Sequence, residues 1–417
     1  MKALVVAPAW IGDMVMAHAL VQVLRREHGN CAIHVVAPPV TAPLASRMPG
    51  LAAVHELEVG HGVLGLGRRR RLAAKLRTHG FQAAYVLPNS FKSALLPWWA
   101  GIPHRVGWHG EARYRLLNDR RRLDKTRYPR MIDRFMSLGL PAEAPLPEPW
   151  PRPELSVDRN NRESVLERLA LVGGRRRGRG RILGRGREVA KDGNASPVRD
   201  GEMDRGATAN PVRGRDRDMH RDGAKHPREG QVRNPGWGGD MDEDGSAHPV
   251  EDGCPDRNRL GPVTVLCPGA EYGEAKRWPA ANFAAVARQR LRTGDDVWIL
   301  GSAGDAAVAG EIAAAAPGAV DLAGRTSLLD AVDLLSLADR VVTNDSGLMH
   351  IACALDRRVV AVFGSTSPDF TPPLGKRATV IEDQLDCRPC FQRQCPLQHL
   401  DCLRGIAPER VIAALMP

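Results

Sequence analysis

Four turns and one cysteine-rich segment hold the residues able to do chemistry. LVVAPAWIGDMVMAHAL passes from an apolar strand pattern into a helical one. Where many nucleotide-binding folds keep a glycine-rich phosphate loop, it has one glycine and an acid, Gly12 and Asp13. Gly12 permits a tight turn. Asp13 either caps the helix by accepting from its free N–H groups or serves as a general base at a cleft edge. CPGAEYGEAKRWPAANF supplies Gly269, Gly273 and Lys276 after another strand pattern. Backbone N–H groups and an ammonium converging there suit a phosphate. The segment is neither a Walker A sequence nor GxGxxG, and a surface loop with a solvated lysine fits the same letters.

VVTNDSGLMHIACAL ends a strand at Thr343, turns through Asn344, Asp345, Ser346 and Gly347, and carries His350 one turn into a helix. The positive helix end favours a diphosphate. Asp345 serves either that site or the helix as a cap. His350 is either a packed core residue or a second reach towards the anion. GSAGD follows the strand pattern VWIL; its Asp305 caps the next helix or binds sugar hydroxyls beyond the strand end. CRPCFQRQCPLQHLDC brings Cys387, Cys390, Cys395, Cys402 and His399 together. Zinc ligation, a packed or redox-variable loop and a catalytic thiol all remain open, because the spacing is not that of a standard finger.

The elements that must position these turns fall into three regions. Residues 1–160 alternate apolar strands (ALVVA, IHVVA, AAYVLP) with helical patterns such as MAHALVQVLRREHG. Residues 260–417 do the same with PVTVLC, DVWILG, RVVTN and VVAVFG, and with helical patterns over 282–291 and 327–337. Such alternation predicts two parallel α/β domains, with ligands beyond the C-terminal ends of their strands. Residues 173–259 are rich in Gly, Arg and Asp, have Trp237 as their only aromatic and show neither period; they read as a disordered insertion.

The chain has 417 residues, 43% of them hydrophobic, enough for a substantial core. No apolar run reaches the roughly 18 residues of a membrane span, and the N-terminus has no signal-peptide layout; a cytoplasmic protein is expected. Eight cysteines in such a chain do not suggest a disulfide scaffold. The net charge of +11 gathers in the first region: Arg68–Arg71, Lys75, Arg77, Lys92, Arg105, Arg113, Arg115 and Arg120–Arg122, interleaved with Trp98, Trp99 and Trp108. That is a solvated basic face or a surface for a polyanion: a phosphorylated glycolipid, a membrane or nucleic acid.

At WIGDMVM, SRMPG, GHGVLGLGRRR, LPNSFKSAL, GIPHRVGWHGEARYRLLND, CPGAEYGEAKRWP and VVTNDSGLMHIACALDRRVVAVFGSTSPDFTPP the chain resembles the bacterial ADP-heptose:lipopolysaccharide heptosyltransferases, glycosyltransferase family 9. These segments span nearly all of 1–160 and 260–417, and LPNSFKSAL and GIPHR favour the branch that adds the second heptose. The resemblance implies a GT-B fold, two Rossmann-like domains facing across a cleft. The first domain would bind the acceptor and the second the donor, ADP-L-glycero-D-manno-heptose. It implies inverting transfer to the first heptose of the inner core, on heptosyl-Kdo2-lipid A, at the inner face of the inner membrane as a peripheral protein.

By the same resemblance Asp13 is the catalytic base and Lys276 the phosphate-binding lysine. Asp345, Ser346, Gly347 and His350 form the donor-binding helix start, with Asp305 and Thr326 beside them; Asn89, Lys92, Arg105 and Arg113 are the acceptor contacts. No cofactor or nucleic acid is expected, and no metal, since neither 1–160 nor 260–417 shows a metal-binding Asp-x-Asp pair. The insertion and the cysteine cluster depart from the family pattern. A family 9 transferase with another acceptor, including a protein, and a nucleotide-sugar-binding protein without turnover are the alternatives. A nicotinamide dehydrogenase is disfavoured by the lack of GxGxxG in either half.

Overall fold

The computed structural model describes residues 1–60, 63–171 and 260–416. The insertion expected over 173–259 lies outside the described residues.

The first half contains β1 (Lys2–Val6), α1 (Ile11–His28), β2 (Ala32–Ala37), α2 (Ala42–Ala45), β3 (Leu51–Glu56), α3 (Leu66–Arg77), β4 (Ala83–Val86), α4 (Phe91–Trp99), β5 (His104–Trp108), β6 (Asp119–Arg121), α5 (Met131–Met136) and α6 (Arg159–Arg168). The second half contains β7 (Val263–Cys267), α7 (Ala280–Arg292), β8 (Asp296–Ile299), α8 (Ala306–Ala315), β9 (Val320–Asp321), α9 (Leu328–Leu335), β10 (Arg340–Asn344), α10 (Gly347–Ala354), β11 (Arg358–Val362), β12 (Ala378–Ile381), α11 (Asp401–Arg404) and α12 (Pro408–Ala414).

Each half builds one six-stranded sheet, ordered β3-β2-β1-β4-β5-β6 and β12-β11-β10-β7-β8-β9. All registered pairs run parallel, for example Val5 beside Val35 and Tyr85, and Val265 beside Val341 and Trp298. Both orders are the doubly wound arrangement, whose strand order reverses beside the first strand of each half. The expected α/β class with two Rossmann-like sheets is what the chain forms. Central strands such as β1 and β7 are buried almost throughout, which is why they read as continuous apolar runs.

The halves share one core. A single buried cluster includes Val5, Met14 and Leu44 from the first half and Val332, Leu335 and Met349 from the second. Polar ties reinforce it. Arg47, just after α2, donates to both carboxylate oxygens of Asp333 in α9, at 3.2 and 2.9 Å. The same carboxylate accepts from the Asp158 backbone N–H at 2.9 Å and from Asn161 Nδ2 at 2.7 Å. Residue 160, the boundary expected from sequence, falls inside α6. That helix packs on α9 and adds an Arg168–Asp330 ion pair at 2.7 Å.

The Asp333 side chain is fully buried, and its charge is compensated by these four hydrogen bonds. Asp333→Ala leaves the Arg47 guanidinium without its carboxylate, a loss of about 3–5 kcal/mol for a broken buried pair. Chemical denaturation checks this. A loss under about 1 kcal/mol, the range of a surface ion pair, would contradict it.

Candidate functional site

The site forms where the C-terminal edges of the two sheets meet. After β1 the chain makes a short turn and enters α1 at Ile11, earlier than the helical pattern suggested. The N-cap is Trp10, with no side-chain cap bond. Asp13 is therefore not the cap but a residue of the first helical turn. Gly12 lies inside α1 as well, so its role is not to make the turn. A Cβ at Gly12 would sit 2.8 Å from His350 Cδ2, and one at Gly347 would sit 2.8 Å from Ile11 Cβ. The N-termini of α1 and α10 are pressed together, with a glycine on each side of the contact.

α10 starts at the N-cap Ser346, also without a side-chain cap. By contrast, α6 and α9 are capped by Asp158 and Ser327. The N-cap side chains of α1 and α10 thus make no bond to the first-turn N–H groups, as is also true at α3, α4 and α7. Ser346 Oγ instead lies 3.3 Å from Thr343 Oγ1.

Three charged side chains gather at this contact. Lys276 Nζ donates to Asp345 Oδ2 at 2.5 Å, and Thr366 Oγ1 donates to the same oxygen at 2.7 Å. Lys276 also stands 4.9 Å from the Tyr272 ring centre. Asp13 is half-buried. Burial raises its pKa to about 6; Lys276 pulls it down and Asp345 pushes it up. Both residues of the second half therefore act electrostatically on Asp13. His350 is buried, and its Nδ1 has no hydrogen-bond partner among the described residues. Burial drops its pKa to about 4, with Asp345 opposing and Lys276 reinforcing, so the ring is neutral at pH 7.

The Lys276 loop is held from several sides. Asn344, the last residue of β10 rather than a turn residue, accepts from the Trp278 backbone N–H at 3.1 Å and donates to Pro268 O at 2.7 Å. Trp278 is buried, and its indole donates to Ile406 O at 3.0 Å. Asp305 sits between two glycines. A Cβ on Gly269 or Gly301 would come within 2.4 or 2.9 Å of its side chain. Its Oδ2 accepts from the Ser302 backbone N–H at 2.9 Å and from Ser302 Oγ at 2.7 Å, and Arg277 lies 3.8 Å from Oδ1. These bonds belong to a capping box at the 3-10 turn Ala303–Asp305, and Asp305 makes no side-chain cap bond to α8. Thr326 is half-buried in the turn before α9.

The residues expected to contact an acceptor divide. Asn89 and Lys92 follow β4 at the C-terminal edge, Asn89 exposed and Lys92 half-buried. Arg113 is not on the surface: it is fully buried and donates to Pro88 O at 2.7 Å, to Asn89 Oδ1 at 3.3 Å and to Trp108 O. It braces the loop that carries Asn89. Arg105 lies near the start of β5, at the opposite edge of the sheet, where it donates to Leu116 O at 2.7 Å and Pro103 O at 3.2 Å. Its place in the strand sets it apart from the other three.

Thr366 and Tyr272 were not singled out by sequence, and Asn344 was read only as a turn residue. The signal for Thr366 was available, since GSTS is the turn after β11. Among the described residues no helix is long and apolar enough to cross a membrane.

The model of glycosyltransferase family 9 (heptosyltransferase) matches residues 69–178 and 243–401. The lipopolysaccharide heptosyltransferase 2 of Salmonella typhimurium is 34% identical over 100% of this chain and 97% of its own. The lipooligosaccharide heptosyltransferase 2 of Haemophilus influenzae is 35% identical over 91% and 88%. The solved structure of Escherichia coli ADP-heptose lps heptosyltransferase II superposes with a TM-score of 0.71 at 33% identity, covering 100% of this chain and 97% of that one. Family match, full-length relatives and shared architecture agree: the chain belongs to glycosyltransferase family 9, the heptosyltransferases, and is a glycosyltransferase.

Proposed function

We propose that this enzyme transfers L-glycero-D-manno-heptose from ADP-heptose to the first heptose of the lipopolysaccharide inner core, with inversion, in a GT-B arrangement. The acceptor half is residues 1–160 and the donor half residues 260–417. The observation that carries this reading is the grouping of Asp13, Lys276 and Asp345 at the contact of two uncapped helix N-termini.

In one displacement, an acceptor hydroxyl oxygen forms a bond to the anomeric carbon as the bond from that carbon to the β-phosphate oxygen breaks. The electron pair leaves with ADP, and the hydroxyl proton passes to the Asp13 carboxylate. A base with a pKa near 6 is ionised at pH 7 yet basic enough to take that proton as attack proceeds. Lys276 and the open amides of α10 stabilise the diphosphate as it departs. Asp345 and Thr366 hold the ammonium in position. His350, neutral and with Nδ1 unpartnered, has a hydrogen-bonding position to offer the donor.

The surface of the first half suits an acceptor held in an anionic membrane. α3 carries Arg68, Arg70, Arg71 and Lys75 with no acid in its first turn. Beside it on α4, Phe91 and Trp98 are exposed, and Arg70 lies over the Trp99 ring at 5.4 Å. Cations beside aromatic side chains favour a headgroup surface. We therefore assign the enzyme to the cytoplasmic face of the inner membrane, as a peripheral protein.

The test is ADP-heptose with heptosyl-Kdo2-lipid A in anionic vesicles, read by product mass. One added heptose and released ADP are expected. Asp13→Asn should lower kcat at least 100-fold, the usual order for loss of a general base, with donor binding retained. Lys276→Ala should raise the donor KM and lower kcat together. Transfer in vesicles should weaken with salt, whereas transfer to a water-soluble core fragment should not. No product, or near-normal turnover by Asp13→Asn, would overturn the reading.

Asp13 also sets a pH-dependent stability. The folded protein holds its proton more tightly than the unfolded chain, where the pKa is about 3.8. That contribution is fully present below pH 3.8 and is lost as pH rises through about 6. Above it the ionised carboxylate costs up to about 3 kcal/mol, at about 1.4 kcal/mol per pKa unit. Asp13→Asn should therefore melt higher than the wild type at pH 8, with the gap closing towards pH 4. A variant that melts lower at pH 8 would contradict the burial argument.

A further inference from the structure

The cysteine-rich segment before α11 takes no part in the transfer step, yet it is built unlike an ordinary loop. Its cysteines follow the spacing Cys-x2-Cys-x4-Cys-x6-Cys at 387, 390, 395 and 402. All four line one small cavity, of about 20 Å3, floored by Ala275 and Ser365. That is room for a single water-sized or ion-sized occupant. The segment leaves Phe391 43% and Leu397 59% exposed, while Cys402 is buried and Leu400 packs against the core of the second half. Its shape is therefore not held by a hydrophobic core of its own.

Its backbone is strained as well. Among the described residues six non-glycine positions have a left-handed φ, and three of them, Phe391, Gln398 and Leu400, lie in this segment. Strain of this kind persists only where something else over-determines the conformation. The turn after Cys395 is closed by the Gln398 N–H, which donates to Cys395 O at 3.1 Å. Arg388 lines the same cavity, a cation placed to offset negative charge there.

We infer that Cys387, Cys390, Cys395 and Cys402 are the four thiolate ligands of one tetrahedral divalent cation of the zinc class, a structural centre that clamps the Lys276 loop. Four S–H protons leave to solvent as four sulfur–metal bonds form, and nothing is oxidised or reduced. Four soft sulfur donors with no open position suit a closed structural site. As the side chains stand, no group of three or more ligand-type residues converges closely enough to hold an ion among the described residues. Closure needs rotation of the thiols about χ1 into the cavity they already line.

The clamp reaches the catalytic loop directly. Phe391 O accepts from Tyr272 Oη at 2.5 Å, and Arg393 O accepts from the Ala275 N–H at 3.1 Å. Gly273, at φ +154, leaves room for that Arg393 carbonyl, which a Cβ would approach to 2.4 Å. Arg388 donates to Thr366 O at 3.0 Å, and the Thr366 hydroxyl holds Asp345. Ala275 is the residue before Lys276. The effect on donor binding rests on the proposed function; the metal site does not.

The experiment measures metal in the full chain, produced in zinc-supplemented medium and purified under reducing conditions without chelator. One equivalent of zinc is expected in the wild type and in Cys353→Ser, and none in Cys395→Ser or Cys402→Ser. To separate loss of a ligand from loss of the fold, the metal-stripped wild type is also titrated with cobalt(II). Thiolate-to-cobalt charge transfer and tetrahedral d–d absorption should appear and saturate at one equivalent. Stripping zinc should raise the KM for ADP-heptose several-fold, with zinc restoring it. Wild type that binds neither zinc nor cobalt, Cys395→Ser that keeps its zinc, or native mass showing disulfides among the four would overturn the site. Bound zinc whose removal leaves the donor KM unchanged would overturn the clamp. Failure of the heptose assay alone would count against the transfer reading and not against the metal.

Discussion

The contact between the N-termini of α1 and α10 is the constraint on which the site depends. Two glycines make it: His350 lies over Gly12, and Ile11 lies over Gly347. Any larger residue at either glycine must push the two helices apart. Holding them close brings two positive helix ends to one place and takes Asp13 partly out of water. The same contact puts a carboxylate of the first half within the field of an ammonium and a carboxylate of the second.

Much of the remaining architecture serves to hold that junction. Arg47 and Asp333 lock α2 to α9 through a buried bidentate pair. Asn344 ties the end of β10 to the loop after β7, and Trp278 anchors that loop in the core. The loop cannot rely on regular secondary structure, because a short 3-10 turn is all that supports Lys276. Its position therefore depends on neighbours: Asn344 and Thr366 on one side and the cysteine-rich segment on the other. A site whose acid and cation come from separate halves needs such bracing, since an ångström of drift would undo both the electrostatics and the geometry.

The sequence was informative where burial leaves a pattern. β1, β2, β4, β7, β8, β10 and β11 are apolar runs and were legible as such. β3, β5, β6, β9 and β12 were not, being short, polar or at sheet edges; β6 is Asp-Arg-Arg. Asp13, Lys276 and Asp345 were each visible as unusual residues in turns after strands. Their meeting was not visible, because no local period encodes contact between distant turns. The purpose of Gly12 was hidden for the same reason: its partner is a histidine from the other half. Arg105 and Arg113 misled because arginine usually marks a surface, and pairing with backbone carbonyls leaves no trace in the letters. Asp305 does not cap α8 with its side chain; enclosed by two glycines, it bonds back to Ser302 instead.

The most direct test of the central claim is the acid limb of kcat/KM against pH, which reports the free enzyme's base. The account predicts a limb near pH 6 in the wild type, set by Asp13. It should move to higher pH in Lys276→Ala, where the cation that favours the carboxylate is gone, and to lower pH in Asp345→Asn, where the opposing acid is gone. A limb that stays in place in both variants, or is absent from the wild type, would contradict a base held in the field of the opposite half.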